Sequence, residues 1–436
     1  MLFMKRLILH SIFLGSAAFL PVAGKRSIPF SPNPGFSASH NRFAFQLLEA
    51  VSRQDSSRGN LLISPLGIYL AMGMLYNGAD HATRDSIAEA LHTTAFGGQN
   101  LNSLCKDLVQ GLSMQDDKAE LILANSIWCN RKKCKPLPAF ENICEQYYYT
   151  PVRTLNFNGK TTIGQMNRWI DQTTRHRIQT LVPTVRERDP IYLANATLFR
   201  SDWSTPFDIG ESREEPFFLA GGAKETVFFM KKELVARAYS DTSFTMVELP
   251  FGHAKGYSMV LILPDDPEQP VPDLLKTFDE SRLYDALSRM NDQWVQLSLP
   301  RWDYAYSLED MAPALRQMGM GILVNDDGNA DLSNLCSNGG QRHGLTINDL
   351  LAGRTSPRPS HGIYLSKAIH RTCIKVNEKG VHTGSAQAGT SDGAAVTRRH
   401  HVQVIRADHP FLYAILSRQQ HVILFTGIVN DPGKSH

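Results

Sequence analysis

The chain has 436 residues, of which 42% are hydrophobic and 20% charged, with a formal net charge of +3. That balance suits a globular protein with a substantial core and excludes disordered, collagen-like and coiled-coil chains. It is also far from the basic stripe of a nucleic-acid binder.

The first residues form a targeting pattern. Lys5 and Arg6 precede a mostly apolar run from Leu7 to Val22 that ends in the small residues Ala23 and Gly24. This predicts a signal peptide over residues 1–24 and a mature chain from residue 25. No later apolar run reaches eighteen residues, so no membrane span is expected. The expected location is extracellular, or periplasmic or otherwise exported if the source is bacterial.

Helical signals lead the first half. Ser64-Pro65 pairs a capping hydroxyl with a proline suited to the first helical position, and Ile68, Met72, Leu75 and Ala79 follow at helical spacing. A second helix is expected from Thr83 with Ile87 and Leu91 on one side, and a third over Thr161–Thr174. Strand signals dominate the second half, with apolar runs at Tyr257–Leu263 and Val422–Val429, each stopped by proline and aspartate. Helices early and strands late predict an α+β domain spanning 25–436. Gly339–His361 reads as a loop inserted within it.

The six cysteines, Cys105, Cys129, Cys134, Cys144, Cys336 and Cys373, fit no zinc spacing. In an oxidising compartment Cys129 and Cys134 are the best local disulfide pair, set against buried thiols as the other reading. Motifs of other chemistries break down. Gly159-Lys160-Thr161 lacks the leading glycine of a phosphate loop, since Thr154 stands there, and Gly319-Met320-Gly321 has Val324 where a dinucleotide fingerprint needs its third glycine. No metal site, cofactor or catalytic constellation is predicted, and His400-His401 reads as a solvated pair.

Several segments, taken in order, resemble the serpin family across nearly the whole mature chain. They are Asn60-Leu-Leu-Ile-Ser64-Pro65 through Asn77-Gly78-Ala79, Asn195-Ala196-Thr197-Leu198-Phe199 with Trp203 and Pro206-Phe207, and Leu299-Pro300-Arg301. Met318-Gly319, Ala330-Asp331-Leu332-Ser333 and Leu365–His370 follow, the last leading into Val376-Asn377-Glu378-Lys379-Gly380. Asp408–Tyr413 and Leu424-Phe425-Thr426-Gly427 close the set. The resemblance implies three β-sheets, about nine helices and an exposed, strained reactive loop at about 380–401. It also implies a secreted, monomeric suicide-substrate inhibitor of a serine protease, or of a cysteine protease, and not an enzyme. The loop is cut, and then inserts into the central sheet with the protease attached. The alternative is a non-inhibitory member acting as carrier, storage protein or chaperone.

By matching, Glu378, Gly380, Val381, Thr383, Gly384, Ser385 and Ala386 form the loop hinge. Ser64, Asn195 and His370 form a hydrogen-bonded cluster beneath the opening sheet, with Trp203 near the mouth where the loop inserts. Gly67 replaces the family's usual serine there. The Asn195-Ala196-Thr197 sequon is rejected as a glycan site because the resemblance buries it. An inserted strand has period two, so Val381, Thr383, Ser385, Gln387, Gly389, Ser391 and Gly393 face inward, and none is charged. Spacing from the stem puts the scissile bond at Ala394-Ala395, suited to an elastase-like enzyme. Counting back from Pro410 gives Arg399-His400, with Arg398 adjoining, suited to a trypsin-like one. Two basic runs, Arg131-Lys132-Lys133 with Lys135 and Arg175-His176-Arg177, raise a sulfated polyanion as a further partner, against the plainer reading of a solvated surface.

Overall fold

The computed structural model describes residues 33–55, 59–96, 100–113, 115–116, 119–337, 363–382 and 402–434. The expected signal peptide, the Gly339–His361 insertion and the loop residues Thr383, Gly384, Ser385, Ala386, Ala394, Ala395, Arg398, Arg399 and His400 lie outside them. None of the described helices is long and apolar enough to cross a membrane.

The helices are α1 (Pro34–Gln54), α2 (Pro65–Gly78), α3 (His81–Ala90), α4 (Leu101–Ser113), α5 (Pro138–Tyr148), α6 (Lys160–Thr173), α7 (Val271–Leu274), α8 (Glu280–Arg289), α9 (Ala312–Gln317) and α10 (Gly321–Val324). The strands are β1 (Leu61–Ile63), β2 (Glu120–Asn130), β3 (Val152–Leu155), β4 (Ile191–Asp202), β5 (Arg213–Phe218), β6 (Lys224–Ser240), β7 (Phe244–Pro250), β8 (Tyr257–Pro264), β9 (Asn291–Pro300), β10 (Trp302–Leu308), β11 (Leu365–Val376), β12 (Gly380–His382), β13 (Gln403–Arg406), β14 (Phe411–Ser417) and β15 (Val422–Val429). Helices early and strands late give the α+β class expected. Strand pairing joins them into two ladders, a nine-stranded sheet in the order β1-β15-β14-β8-β7-β6-β9-β13 with β5 on β6, and a six-stranded sheet in the order β10-β11-β12-β4-β2-β3. In the larger sheet β6 pairs with β5, β9 and β7 along successive stretches, so the described strands form two ladders where three sheets were expected.

Helix α2 starts as its sequence predicts. Ser64 is extended, its hydroxyl accepts the Gly67 N–H at 3.2 Å, and Pro65 occupies the first turn. The expected one-sided stripe, however, understates its burial, because Leu66, Tyr69, Leu70, Ala71 and Met74 are buried as well. A helix apolar all round belongs inside a fold, and α2 lies between the two sheets. Helix α3 starts at His81, not at Thr83, because the Asp80 carboxylate caps it. Thr83 turns inward instead, and its hydroxyl accepts the Asp331 N–H at 2.8 Å.

Strand β4 is buried on both faces. Tyr192, Ala194, Ala196 and Leu198 share a hydrophobic cluster with Met166 and Ile170 of α6. The alternate residues Asn195 and Thr197 point the other way, toward α2, where both would crowd a side chain at Gly67. Period-two alternation thus gives this strand one apolar face beneath α6 and one mixed face toward α2, where Asn195 and Thr197 sit between the buried Leu193 and Phe199.

Candidate functional site

The site is the seam between β4 and β11. From Leu365↔Ile191 to Thr372↔Thr197 the two strands pair directly and in parallel. Above that stretch they part, and β12 occupies the gap. It pairs antiparallel with β11 through Lys375↔His382 and Val376↔Val381, and antiparallel with β4 through Gly380↔Asp202 and Val381↔Ser201. The three residues of β12 therefore form a wedge with a ladder on each side.

The turn that launches the wedge is fastened at several points. Asn377 and Gly380 exchange backbone hydrogen bonds of 3.0 and 3.2 Å, and the Asn377 side chain accepts the Lys379 N–H at 3.0 Å. The Trp203 indole donates to the Asn377 carbonyl at 2.9 Å, and its ring stacks on Phe251 at 4.6 Å. Backbone N–H groups of Trp203 and Phe207 reach the carbonyls of Lys379 (2.6 Å) and Glu378 (2.9 Å). The buried Glu378 carboxylate accepts from Ser212 at 2.6 Å and from Arg301 Nε at 2.7 Å. Gly380 has to be glycine, because a Cβ there would come within 2.2 Å of the Ser201 carbonyl oxygen.

Below the wedge a buried polar relay ties four elements together. The Ser64 N–H donates to His370 Nε2 at 3.1 Å, so this nitrogen is the acceptor and the proton sits on Nδ1. Nδ1 faces Asn195 Oδ1 at 2.6 Å and donates to it. Asn195 Nδ2 donates to Asn125 Oδ1 at 2.7 Å, and Asn125 Nδ2 to the Gly67 carbonyl at 3.2 Å. Burial depresses the His370 pKa to about 3, which keeps the ring neutral as the relay requires. Further along the seam, Thr372 Oγ1 donates to the Thr197 carbonyl at 2.8 Å.

Of the residues expected from sequence, Ser64, Asn195 and His370 meet in this relay, and Trp203, Glu378, Gly380 and Val381 meet at the turn above it. Asn195 is 1% exposed, consistent with rejecting its sequon. Asn125, Arg301 and Ser212 were not singled out from sequence for these roles. The structure holds all six cysteines as thiols, five of them buried, which is the second of the two readings; the Cys129–Cys134 disulfide is not formed in it. Of the two basic runs, the second is largely neutralised: Arg175 and Arg177 both pair with Glu120, at 2.5 and 2.9 Å, and His176 with Asp171 at 2.9 Å. In the first run, Lys132 pairs with Glu187 at 2.6 Å.

Residues 38–432 match the profile of the family described as Serpin (serine protease inhibitor). The chain is 26% identical over 409 residues to leukocyte elastase inhibitor of Xenopus laevis, covering 91% of this chain and 99% of that one. It is 27% identical over 405 residues to human Serpin B8, covering 90% and 98%. Its fold is similar to that of the thermophilic serpin tengpin in the native state, with a TM-score of 0.79, 24% identity and coverage of 94% and 96%. Uncleaved ovalbumin is likewise similar, at 0.75, 22%, and 91% and 100%.

Two outcomes are expected of the relay. His370 has a folded pKa below its unfolded value of 6.5, so the unfolded chain binds more protons between about pH 3 and 6.5. Its contribution is complete above pH 6.5 and is lost as pH falls from there toward 3. Denaturation midpoints at pH 7.5 and pH 5 should show His370→Gln losing less stability than the parent across that interval, by about 1–2 kcal/mol. An equal loss would mean that His370 does not carry the acid sensitivity. The second outcome concerns Gly67, where a Cβ would lie 2.4 Å from Asn195 Nδ2 and 2.5 Å from Thr197 Oγ1. Gly67→Ser should therefore destabilise the protein by about 1–3 kcal/mol in the same assay, through overpacking.

Proposed function

The chain belongs to the serpin family, and from that premise we propose that it is a suicide-substrate inhibitor of a serine protease, baited by residues 380–401. Members of the family target proteases and are not catalysts themselves; that this chain retains the trapping step is the proposal. The observation that carries it is β12, whose two ladders fix the register in which the following residues would insert. Continued past His382, that register sets Thr383 between Phe199 and Ile374, Ser385 between Thr197 and Thr372, and Gln387 between Asn195 and His370.

Both faces of such a strand suit the space. On the inner face, Gln387 would arrive where His370 and Asn195 now bond to each other, and its carboxamide offers both a donor and an acceptor in their place. The outer face would lie on the side of β4 that packs beneath α6, where Leu198, Ala196 and Ala194 are buried. The loop residues opposite these three would be Gly384, Ala386 and Ala388, all small enough to pass under a helix. Insertion exchanges one parallel ladder for two antiparallel ones, which is a net gain of backbone pairing.

Loop length before the cut favours Ala394-Ala395 as the scissile bond and an elastase-like target, with Arg399-His400 as the trypsin-like alternative. The charged and apolar pattern of residues 1–24 supports export from the cell. Of the two basic runs, Arg131–Lys135 is the one kept as a polyanion contact, because Glu120 draws both arginines of the other, although Lys132 of this run is itself paired with Glu187.

The reading is tested by incubating the protein with elastase-like and trypsin-like proteases, then sequencing the released C-terminal peptide. A complex that survives a denaturing gel is expected, with a new N-terminus at Ala395 or at His400. Cleavage by every protease with no such complex would remove the inhibitory claim. Ser385→Arg, which would bury a charge between Thr197 and Thr372, is expected to leave cleavage intact and abolish the complex. A variant that still trapped its protease would refute the register.

A further inference from the structure

Two cysteines close in sequence and one distant from them converge below β2. Cys129 is the penultimate residue of that strand, and the chain then turns through Arg131–Cys134, held by the N–H groups of Lys133 and Cys134 on the Asn130 carbonyl, both at 2.8 Å. Two residues on, Pro136 forms an antiparallel bridge with Cys336. The bridge is flanked by bonds of 2.9 Å from the Leu137 N–H to the Leu335 carbonyl and 3.2 Å from the Ser337 N–H to the Lys135 carbonyl. Period two puts Cys134 on the same face as Pro136 and Cys336. The Cys134 thiol lies within hydrogen-bonding reach of both the Cys129 and the Cys336 sulfur atoms. All three side chains are wholly buried.

The two possible pairings have different mechanical consequences. The end of β2 belongs with β4, because the Asn130 side chain donates to the carbonyls of Glu187 (2.8 Å) and Asp189 (3.0 Å) and its N–H to that of Pro190 (2.9 Å). The Cys336 segment belongs with the junction of α2 and α3. There the Asp80 N–H donates to the Asp331 carbonyl at 3.0 Å and Asn334 Nδ2 to the Ala79 carbonyl at 3.1 Å. A Cys129–Cys134 bond would close a short ring within one body. A Cys134–Cys336 bond would span two bodies and close a ring of some two hundred residues, which restrains the unfolded chain far more.

We propose that Cys134 and Cys336 form a disulfide as the chain folds under oxidising conditions, and that this bond slows loop insertion by tethering the end of β2 to the α2–α3 junction. Insertion has to move β4, β2 and β3 as one unit away from β10 and β11, since ten register positions join β2 to β4 and seven join β10 to β11. With Cys134 fixed, only Arg131, Lys132 and Lys133 remain to absorb that displacement. The oxidant is a small-molecule disulfide such as oxidised glutathione. The Cys134 thiolate attacks it and releases one glutathione thiolate; the Cys336 thiolate then displaces the second. The two protein thiols give up two protons and two electrons, and the glutathione disulfide becomes two thiols. In the folded protein the hydrogen bond with Cys129, reinforced by burial, raises the Cys134 pKa well above the thiol range, so thiolate is scarce and the reaction belongs to folding, while the cysteine is still solvated.

The effect on insertion rests on the inhibitory reading; the bond itself does not. The full chain is refolded in a glutathione redox buffer and, separately, under reduction. Remaining thiols are blocked, and the protein is digested without reduction for mass spectrometry. A peptide linking Cys134 to Cys336 is expected from the oxidised sample. Each form is then cut in the loop with a trypsin-like protease, and the gain in heat resistance that follows insertion is timed. The oxidised protein is expected to insert about tenfold more slowly. Cys336→Ser and Cys134→Ser should abolish the difference between buffers, and Cys129→Ser should preserve it. A Cys129–Cys134 link, no link at all, or equal insertion rates in the two redox states would overturn the proposal. If neither form gains heat resistance after cleavage, the inhibitory reading fails and the tether's effect fails with it. Equal gains at equal rates would overturn the tether alone.

Discussion

Everything distinctive about this fold depends on two strands that are paired along most of their length and separated at one end. Seven register positions close β4 against β11, while Gly380–His382 keeps their upper ends apart. Backbone groups on β4 and β11 can be satisfied either by pairing with each other or by a strand lying between them. Here both solutions coexist on one pair of strands. The closed stretch is held by a relay that runs from α2 through β11 and β4 to β2. Every buried polar atom in it needs its partner, since an orphaned one costs about 1–3 kcal/mol. The open stretch is held by Trp203, by the bonds within the Asn377–Gly380 turn and by the Glu378 carboxylate on Arg301 and Ser212.

The relay also bears on how the proposed insertion would proceed. His370 and Asn195 are direct cross-strand neighbours, so parting the strands breaks their 2.6 Å contact and exposes two strong hydrogen-bonding groups to whatever enters. An apolar side chain would leave both unsatisfied; a carboxamide or hydroxyl would not. The other side of the same strands is packed beneath α6, where Ala194 and Ala196 are buried and a small residue is the easier fit. In the proposed register the two faces would impose separate requirements on an inserting strand, and the side chains of residues 383–388 are of the types that would suit both.

Much of this was legible in the sequence. Ser64-Pro65 foretold α2 and its cap, and the runs at Tyr257 and Val422 foretold β8 and β15, because local chemistry specifies each of them. The relay residues Ser64, Asn195 and His370 came through ordered resemblance; no periodicity would bring positions so far apart together. Asn125 was not legible, since a lone asparagine in an apolar strand carries no local signal, and only strand register shows what it faces. Gly67 was read as the loss of a hydroxyl. The structure gives it a steric reason instead, because Asn195 and Thr197 fill the space a side chain would need. Spacing favoured Cys129 with Cys134, since proximity in sequence is the only proximity a sequence displays. The bridge at Pro136 and Cys336 shows what that view omits.

The central claim is that the β4–β11 seam opens to accept the loop in the register that β12 already sets. A crystal structure of the protein after cleavage within 383–401 tests this most directly. The account predicts a new strand running from Gly380 between β4 and β11, with Ser385 flanked by Thr197 and Thr372 and Gln387 lying between Asn195 and His370. A cleaved protein in which Ile191–Thr197 still pairs directly with Leu365–Thr372 would contradict it.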